Sequence, residues 1–130
     1  MRHLPISATD EDLLKFIDGW AALLEMEDYE GAFTYVGHVP EMNWTPQLIK
    51  EVVKAYGEMD CRQKVTVQGV PTDTSQRKKV TRWETRRPAG IGYIWYDLNI
   101  DGHASDLTAL FDLDTDGDGL VVKLDDIHVL

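Results

Sequence analysis

Apolar residues follow two spacings along this chain, and the change comes near residue 60. Before it they recur three and four positions apart, the period of a helix face; after it they alternate, the period of a strand. Leu13, Phe16, Ile17, Trp20, Leu23 and Leu24 mark a first helix, opened by Thr9-Asp10-Glu11-Asp12. Thr9 suits the N-cap, and three acids suit the positive end of the helix dipole. Gly19 weakens this helix and admits close packing by a neighbour. Asp28 caps a second, shorter helix through Tyr29, Ala32, Phe33 and Val36, which Gly37-His38-Val39-Pro40 ends. A third has Thr45 as cap, Pro46 at its first position and Gly57 at its close, with Ile49, Val52, Val53 and Tyr56 as its apolar stripe.

The second half reads as strands. Gly90 to Ile100 is the segment about which the chain is organised, being rich in β-branched and aromatic residues. Ile91, Tyr93 and Trp95 share one face; Ile94, Tyr96, Leu98 and Ile100 share the other. Apolar residues on both faces predict a central strand covered on both sides. Around it, Lys64 to Val70, Lys79 to Arg87, Leu107 to Leu113 and Leu120 to Leu130 also read as strands. Pro71 to Ser75, Pro88-Ala89-Gly90, Asp101-Gly102 and Asp114 to Gly119 supply the turns. In the last strand Leu120, Val122 and Leu124 share a parity that Ile127 and Val129 do not, which predicts a bulge near Asp125-Asp126. The pattern predicts one α+β domain over residues 1–130, with N-terminal helices packed on one face of a curved antiparallel sheet.

Length and composition agree with a folded domain, at 130 residues and 43% hydrophobic. Net charge is −10 and uneven. Residues 1–60 carry 4 basic and 12 acidic side chains, residues 61–90 carry 8 and 2, and residues 91–130 carry 1 and 9. Such an acidic body repels nucleic-acid phosphate and anionic membranes and attracts a basic protein partner. The basic run Arg77-Lys78-Lys79 with Arg82, Arg86 and Arg87 is expected to pair with acidic regions of the same chain or of a second copy. No segment has the length of an apolar membrane span, and the N-terminus lacks the apolar core of a secretory signal. A single cysteine, Cys61, makes no internal disulfide, so a cytoplasmic setting is expected. Beside Arg62, Cys61 reads as a structural residue before a reactive thiol.

The helical segment Trp20-Ala21-Ala22-Leu23-Leu24-Glu25-Met26-Glu27-Asp28-Tyr29-Glu30-Gly31-Ala32-Phe33, followed by a hairpin-rich sheet, resembles the cystatin-like α+β roll of the nuclear transport factor 2-like and ketosteroid isomerase-like superfamily. The closing strands, from Asp106 to Asp112 and from Leu124 to Leu130, resemble short uncharacterised bacterial proteins that include suspected immunity proteins. The roll implies a pocket between sheet and helices, proton-transfer chemistry in its enzymes, and dimerisation through the sheet. It also implies a strand between the second and third helices, for which the Pro-containing stretch from His38 to Asn43 is too short.

Two constellations carry candidate chemistry. Asp114, Asp116, Asp118 and Asp125, with Gly119 and Val121, match the positions of an EF-hand calcium loop. The flanking segments read as strands, however, so an Asp/Gly-rich hairpin turn is the preferred reading. The second is a pocket of the kind the roll implies, with Tyr35, Asp97 and His103 as its polar groups and Trp20, Trp83, Tyr93 and Trp95 as its lining. Asp97 shares parity with Tyr93 and Trp95, so it stands at one end of an aromatic wall. The plainer alternative makes the aromatics core and Asp97 the end of a strand. His3, His38, His103 and His128 have no metal-ligand spacing, while His128 beside Asp125 and Asp126 suggests a local ion pair. There is no phosphate-cradling glycine loop and no nucleophile motif, so no cofactor is expected. The function expected is non-catalytic binding of a basic protein, of the immunity type; the alternative is a small-molecule or isomerase-like pocket.

Overall fold

The computed structural model describes residues 2–56, 63–69 and 76–129. Cys61, the helix-closing Gly57 and the turn from Pro71 to Ser75 lie outside the described residues. Three α-helices, α1 (Asp10–Glu25), α2 (Tyr29–Tyr35) and α3 (Pro46–Ala55), pack against a curved sheet. Among the described residues the sheet has seven strands: β1 (His3–Pro5), β2 (Gly37–His38), β3 (Val65–Thr66), β4 (Lys78–Arg87), β5 (Gly90–Ile100), β6 (His103–Asp116) and β7 (Gly119–Val129). The fold class is α+β.

Local chemistry sets the helix ends. Thr9 accepts from the Asp12 backbone N–H while Asp12 accepts from that of Thr9, a reciprocal capping box. Asp28 and Thr45 cap α2 and α3 one way only, accepting from the backbone N–H of Gly31 and of Leu48. Gly19 allows the close approach expected of it. A Cβ there would lie 2.3 Å from the Tyr35 hydroxyl, which donates to the Phe16 carbonyl at 2.8 Å.

The spatial order is β1-β7-β6-β5-β3, with β4 also on β5 and β2 on β7. Hairpins join β5 to β6 and β6 to β7. Asp101 and Gly102 both take positive φ, 52° and 81°, as a type I′ turn requires. Register fixes the two faces. Ile94, Tyr96 and Leu98 of β5, Leu107, Ala109, Phe111 and Leu113 of β6, and Leu120, Val122, Leu124 and Ile127 of β7 all face the helices. They meet Leu13, Ile17, Trp20, Ala21 and Leu24 of α1 and Ile49 and Val53 of α3. Tyr96 fastens the layers by donating from its hydroxyl to Asp18 of α1, and burial pushes that phenol far above its ordinary range. The expected bulge is present. Leu110 pairs with Asp126 and Phe111 with Leu124, leaving Asp125 as the extra residue that changes the parity of β7.

Several expectations are corrected. The covered-on-both-sides reading of β5 fails, because the described helices lie on one face only. On the other, Ile91, Tyr93 and Trp95 are half-buried by neighbouring side chains. Lys79 lies over the Trp95 ring and Arg87 over Trp83, so lysine and arginine stems do part of the covering. Strand β3 has two residues rather than the seven expected from Lys64 to Val70. Strand β6 begins four residues before Leu107, since backbone pairing to β5 continues through polar side chains. A two-residue strand, β2, does lie between α2 and α3, parallel to β7.

The one-sided cover generates a prediction. Phe111→Ala, on the helix face, costs about 3–5 kcal/mol in urea unfolding. Leu110→Ala, its half-buried neighbour on the outer face, costs less than half as much. Equal losses at the two positions would show that both faces are packed.

Candidate functional site

The outer face of the sheet runs across β4, β5, β6 and β7. Lys79 and Thr81 oppose Trp95 and Tyr93; Tyr93, Trp95 and Asp97 oppose Asp112, Leu110 and Thr108. Leu110, Asp112 and Asp114 then oppose Asp126, Lys123 and Val121. An aromatic strip at the centre is therefore flanked by cations on β4 and by carboxylates on β6 and β7.

One corner concentrates negative charge. Asp112, Asp114, Asp125 and Lys123 form the floor of a cavity of about 430 Å³, and Val39, Pro40, Glu41, Pro88 and Ala89 form its walls. Its wall is held down by two bonds to the β7 bulge, from the Val39 backbone N–H to the Leu124 carbonyl and from Trp44 Nε1 to the Asp125 carbonyl. Arg86 pairs with Asp114 at 2.7 Å. Burial, then the neighbouring Asp125 charge, pushes the Asp112 carboxyl up to about 6, against the opposing pull of Lys123; Glu41 and Asp114 add to the rise. Burial also raises Asp125, with Asp126 and Glu41 contributing. Carboxylates held this close destabilise one another, and the two cations in reach do not balance them.

The opposite corner is polar and saturated. Asp97 Oδ1 accepts from Trp95 Nε1 at 2.8 Å and from the Thr108 hydroxyl at 2.7 Å, and its Oδ2 accepts from the Arg77 backbone N–H at 2.8 Å. It thus fixes the Trp95 ring, ties β5 to β6 and anchors the start of β4. Beside it lies a cavity of about 610 Å³ lined by Tyr56, Arg77, Trp95, Asp97, Ala104, Ser105, Asp106 and Thr108.

The structure divides the residues expected to share one pocket. Trp20 is fully buried between α1 and the sheet, edge-on to Phe111 at 5.1 Å. Tyr35 stacks on Phe16 at 4.5 Å between the helices, where burial raises its pKa. Trp83, Tyr93, Trp95 and Asp97 do share a wall, with Trp83 and Tyr93 rings 6.3 Å apart, but it is the outer face and not the space under the helices. His103 is exposed beside the β5–β6 turn, outside the lining of the 610 Å³ cavity.

The calcium-loop residues are dispersed as well. The bend falls at Gly117, whose φ is 62°, and not at Gly119, which pairs with Asp116 and Pro5. Asp114 is buried against Arg86, Asp116 bonds His3 at 2.8 Å, Asp118 is exposed in the turn, and Asp125 belongs to the bulge. Among the described residues no group of three or more His, Cys, Asp or Glu side chains is placed to hold a metal ion. The basic run finds acidic partners within the chain: Arg82 with Asp10, Arg86 with Asp114, and Lys78 near Asp18. His128 pairs with Asp126 at 2.6 Å.

Sequence reasoning missed Asp112 and Glu41 at the acidic corner, and Tyr56, Arg77, Asp106 and Thr108 at the polar one. Strand parity carried the signal for Asp112 beside Asp114. Nothing local announced Glu41 or Tyr56, which arrive from the helical half.

Comparison with known proteins places residues 21–130 in a domain of unknown function, DUF7668. The chain belongs to this family. It matches none of the curated proteins and none of the solved structures with which it was compared. No helix among the described residues is long and apolar enough to cross a membrane. The DUF7668 match spans all of β3 to β7, so it includes the whole outer face.

Two predictions follow from the corners. Asp97→Ala strands three donors and costs about 3 kcal/mol in chemical unfolding; a neutral result would mean that Asp97 is not the hub described. At Asp112 the folded state binds its proton more tightly than the unfolded chain. The stabilisation this gives is complete below about pH 4 and is lost as pH rises through about 6. Asp112→Asn therefore raises the melting temperature at pH 7.5, and the gain shrinks steadily toward pH 4. A gain independent of pH would contradict the assignment.

Proposed function

We propose that this protein is a non-catalytic binding protein, and that its outer sheet face takes a basic protein partner at the acidic β6–β7 side. The observation that carries the reading is the acidic corner. Glu41, Asp112, Asp114 and Asp125 are held around one cavity at a cost to the free fold, and a lysine or arginine from a partner relieves that cost. Tyr93 and Leu110 adjoin Asp112 and supply apolar contact beside the charges. The net charge of −10 steers a cationic partner toward the molecule. A cytoplasmic inhibitor of a basic toxin, the immunity type, fits this reading, as does the likeness of the helix-on-sheet layout to the cystatin-like roll.

A second occupant is favoured by one feature. Cations on β4 and carboxylates on β6 and β7 lie on opposite sides of the aromatic strip of β5. A two-fold axis through that strip sets each charged half against its opposite in a second copy. Sedimentation of the purified protein at low and high salt separates a homodimer from a monomer awaiting another partner.

Site-specific photocrosslinking in source cells tests the first reading. A benzoylphenylalanine at Leu110 captures a partner of high pI, and Asp112→Lys with Asp126→Lys abolishes the adduct. Capture of acidic proteins, or equal capture from position Lys50 on α3, would reject the assignment of this face.

A further inference from the structure

The 610 Å³ cavity at the polar corner lies at the far end of the outer face from the acidic one, and the proposed function makes no use of it. Its floor is built by an irregularity in the sheet. Asp97 pairs with Thr108 but Asn99 pairs with Ala104, so β6 carries two extra residues opposite Leu98. Such bulges re-aim side chains, and here Ser105 and Asp106 are the residues displaced. Buried polar groups gather at this end: Gln63, Asp97, Asn99 and Thr108 are four of the five buried polar or charged residues among those described. The fifth, Asp114, lies at the acidic corner, and the other buried residues are apolar.

Most of these polar groups are already engaged. Asp97 accepts three hydrogen bonds, the Ser105 hydroxyl donates to the Leu98 carbonyl, and the Thr108 hydroxyl donates to Asp97. The Trp95 ring is held rigidly by its bond to Asp97 and stands as a fixed wall. Trp95, Arg77 and Asp106 are among the residues that line the opening, and Asp106 Oδ1 takes the Tyr56 hydroxyl.

That combination selects a class of ligand. Asp97 and Asp106 disfavour an anion, while Arg77 and the neighbouring Lys79 offset their attraction for a cation. Lys79 already lies over the Trp95 ring, at 5.8 Å from its centroid, so a second cation gains little there. A neutral hydroxyl meets neither objection. It donates to Asp106 and accepts from the planar guanidinium of Arg77, while a ring of aliphatic C–H groups lies against the indole. The depression is open to solvent, and its volume matches that of a small-ligand cleft. We propose that this cavity binds a neutral, hydroxylated ring: a sugar unit, free or at the end of a glycan.

The indole N–H of Trp95 reports on the site directly. In ¹H–¹⁵N spectra of the labelled protein, with that resonance assigned through Trp95→Phe, the probes are methyl β-glucoside, N-acetylglucosamine, cellobiose and chitobiose. Sodium acetate and methylammonium chloride are the charged controls. At least one sugar shifts the Trp95 indole and the Asp106 amide saturably at millimolar concentration. Affinity falls by about tenfold or more in both Asp106→Ala and Arg77→Met, a loss of about 1.4 kcal/mol. Arg77→Met leaves the Asp97 network in place, since Asp97 bonds the Arg77 backbone, so it serves if Asp106→Ala loosens α3. Absence of saturable shifts to about 50 mM sugar, saturable shifts that survive both substitutions, or tighter binding of either charged control would overturn the proposal.

Discussion

Trp20 of α1 meets Phe111 of β6 edge-on, 5.1 Å between ring centroids, at the middle of the apolar seam that joins helices to sheet. That seam uses one face of each strand. Every residue in it is at or near zero exposure, from Leu13 and Ile17 on α1 to Leu98, Leu113 and Leu124 on the sheet. Because the strand period is two, filling this face commits the alternate residues to the other. The described helices do not cover that other face, so its side chains must shield one another. Lysine and arginine stems over indole rings, and a carboxylate that takes three donors, are how they do so.

The same constraint sorts the charges. Cations of β4 turn to acids on both sides of the sheet, Arg82 to Asp10 of α1 and Arg86 to Asp114 of β6. The chain nevertheless has ten more acids than bases. The surplus shows most clearly where Glu41 closes over Asp112 and Asp125, and where Asp112 is pushed up to about 6. A sequence selected for stability alone would relieve that corner with an asparagine. Retaining it fits a surface whose charges are completed by another molecule.

Periodicity made the helices, the curved sheet and the Asp125 bulge legible, because each leaves a parity or a cap in consecutive residues. Parity also placed Tyr93, Trp95 and Asp97 on one face. It had no means of saying which face met the helices, so an aromatic outer surface was read as a covered one. β1 was missed because three residues, His3 to Pro5, have no period to detect; their strand exists only through pairing to Val121, Leu120 and Gly119. The calcium spacing at Asp114 to Asp125 was equally local, but a strand advances its residues past one another while a loop gathers them. Cavity walls from Glu41 and Tyr56 depend on where helices end in space, which no short window encodes.

Both proposed sites require the outer face to be an open surface of the folded protein. Hydroxyl-radical footprinting of the purified chain, read residue by residue by mass spectrometry, measures that directly. Oxidation of Trp83, Tyr93 and Trp95 at rates well above those of Trp20 and Phe111 is the predicted result. If the first three were as protected as Trp20, the face would be covered, and the binding surface described for this protein would not exist in the monomer.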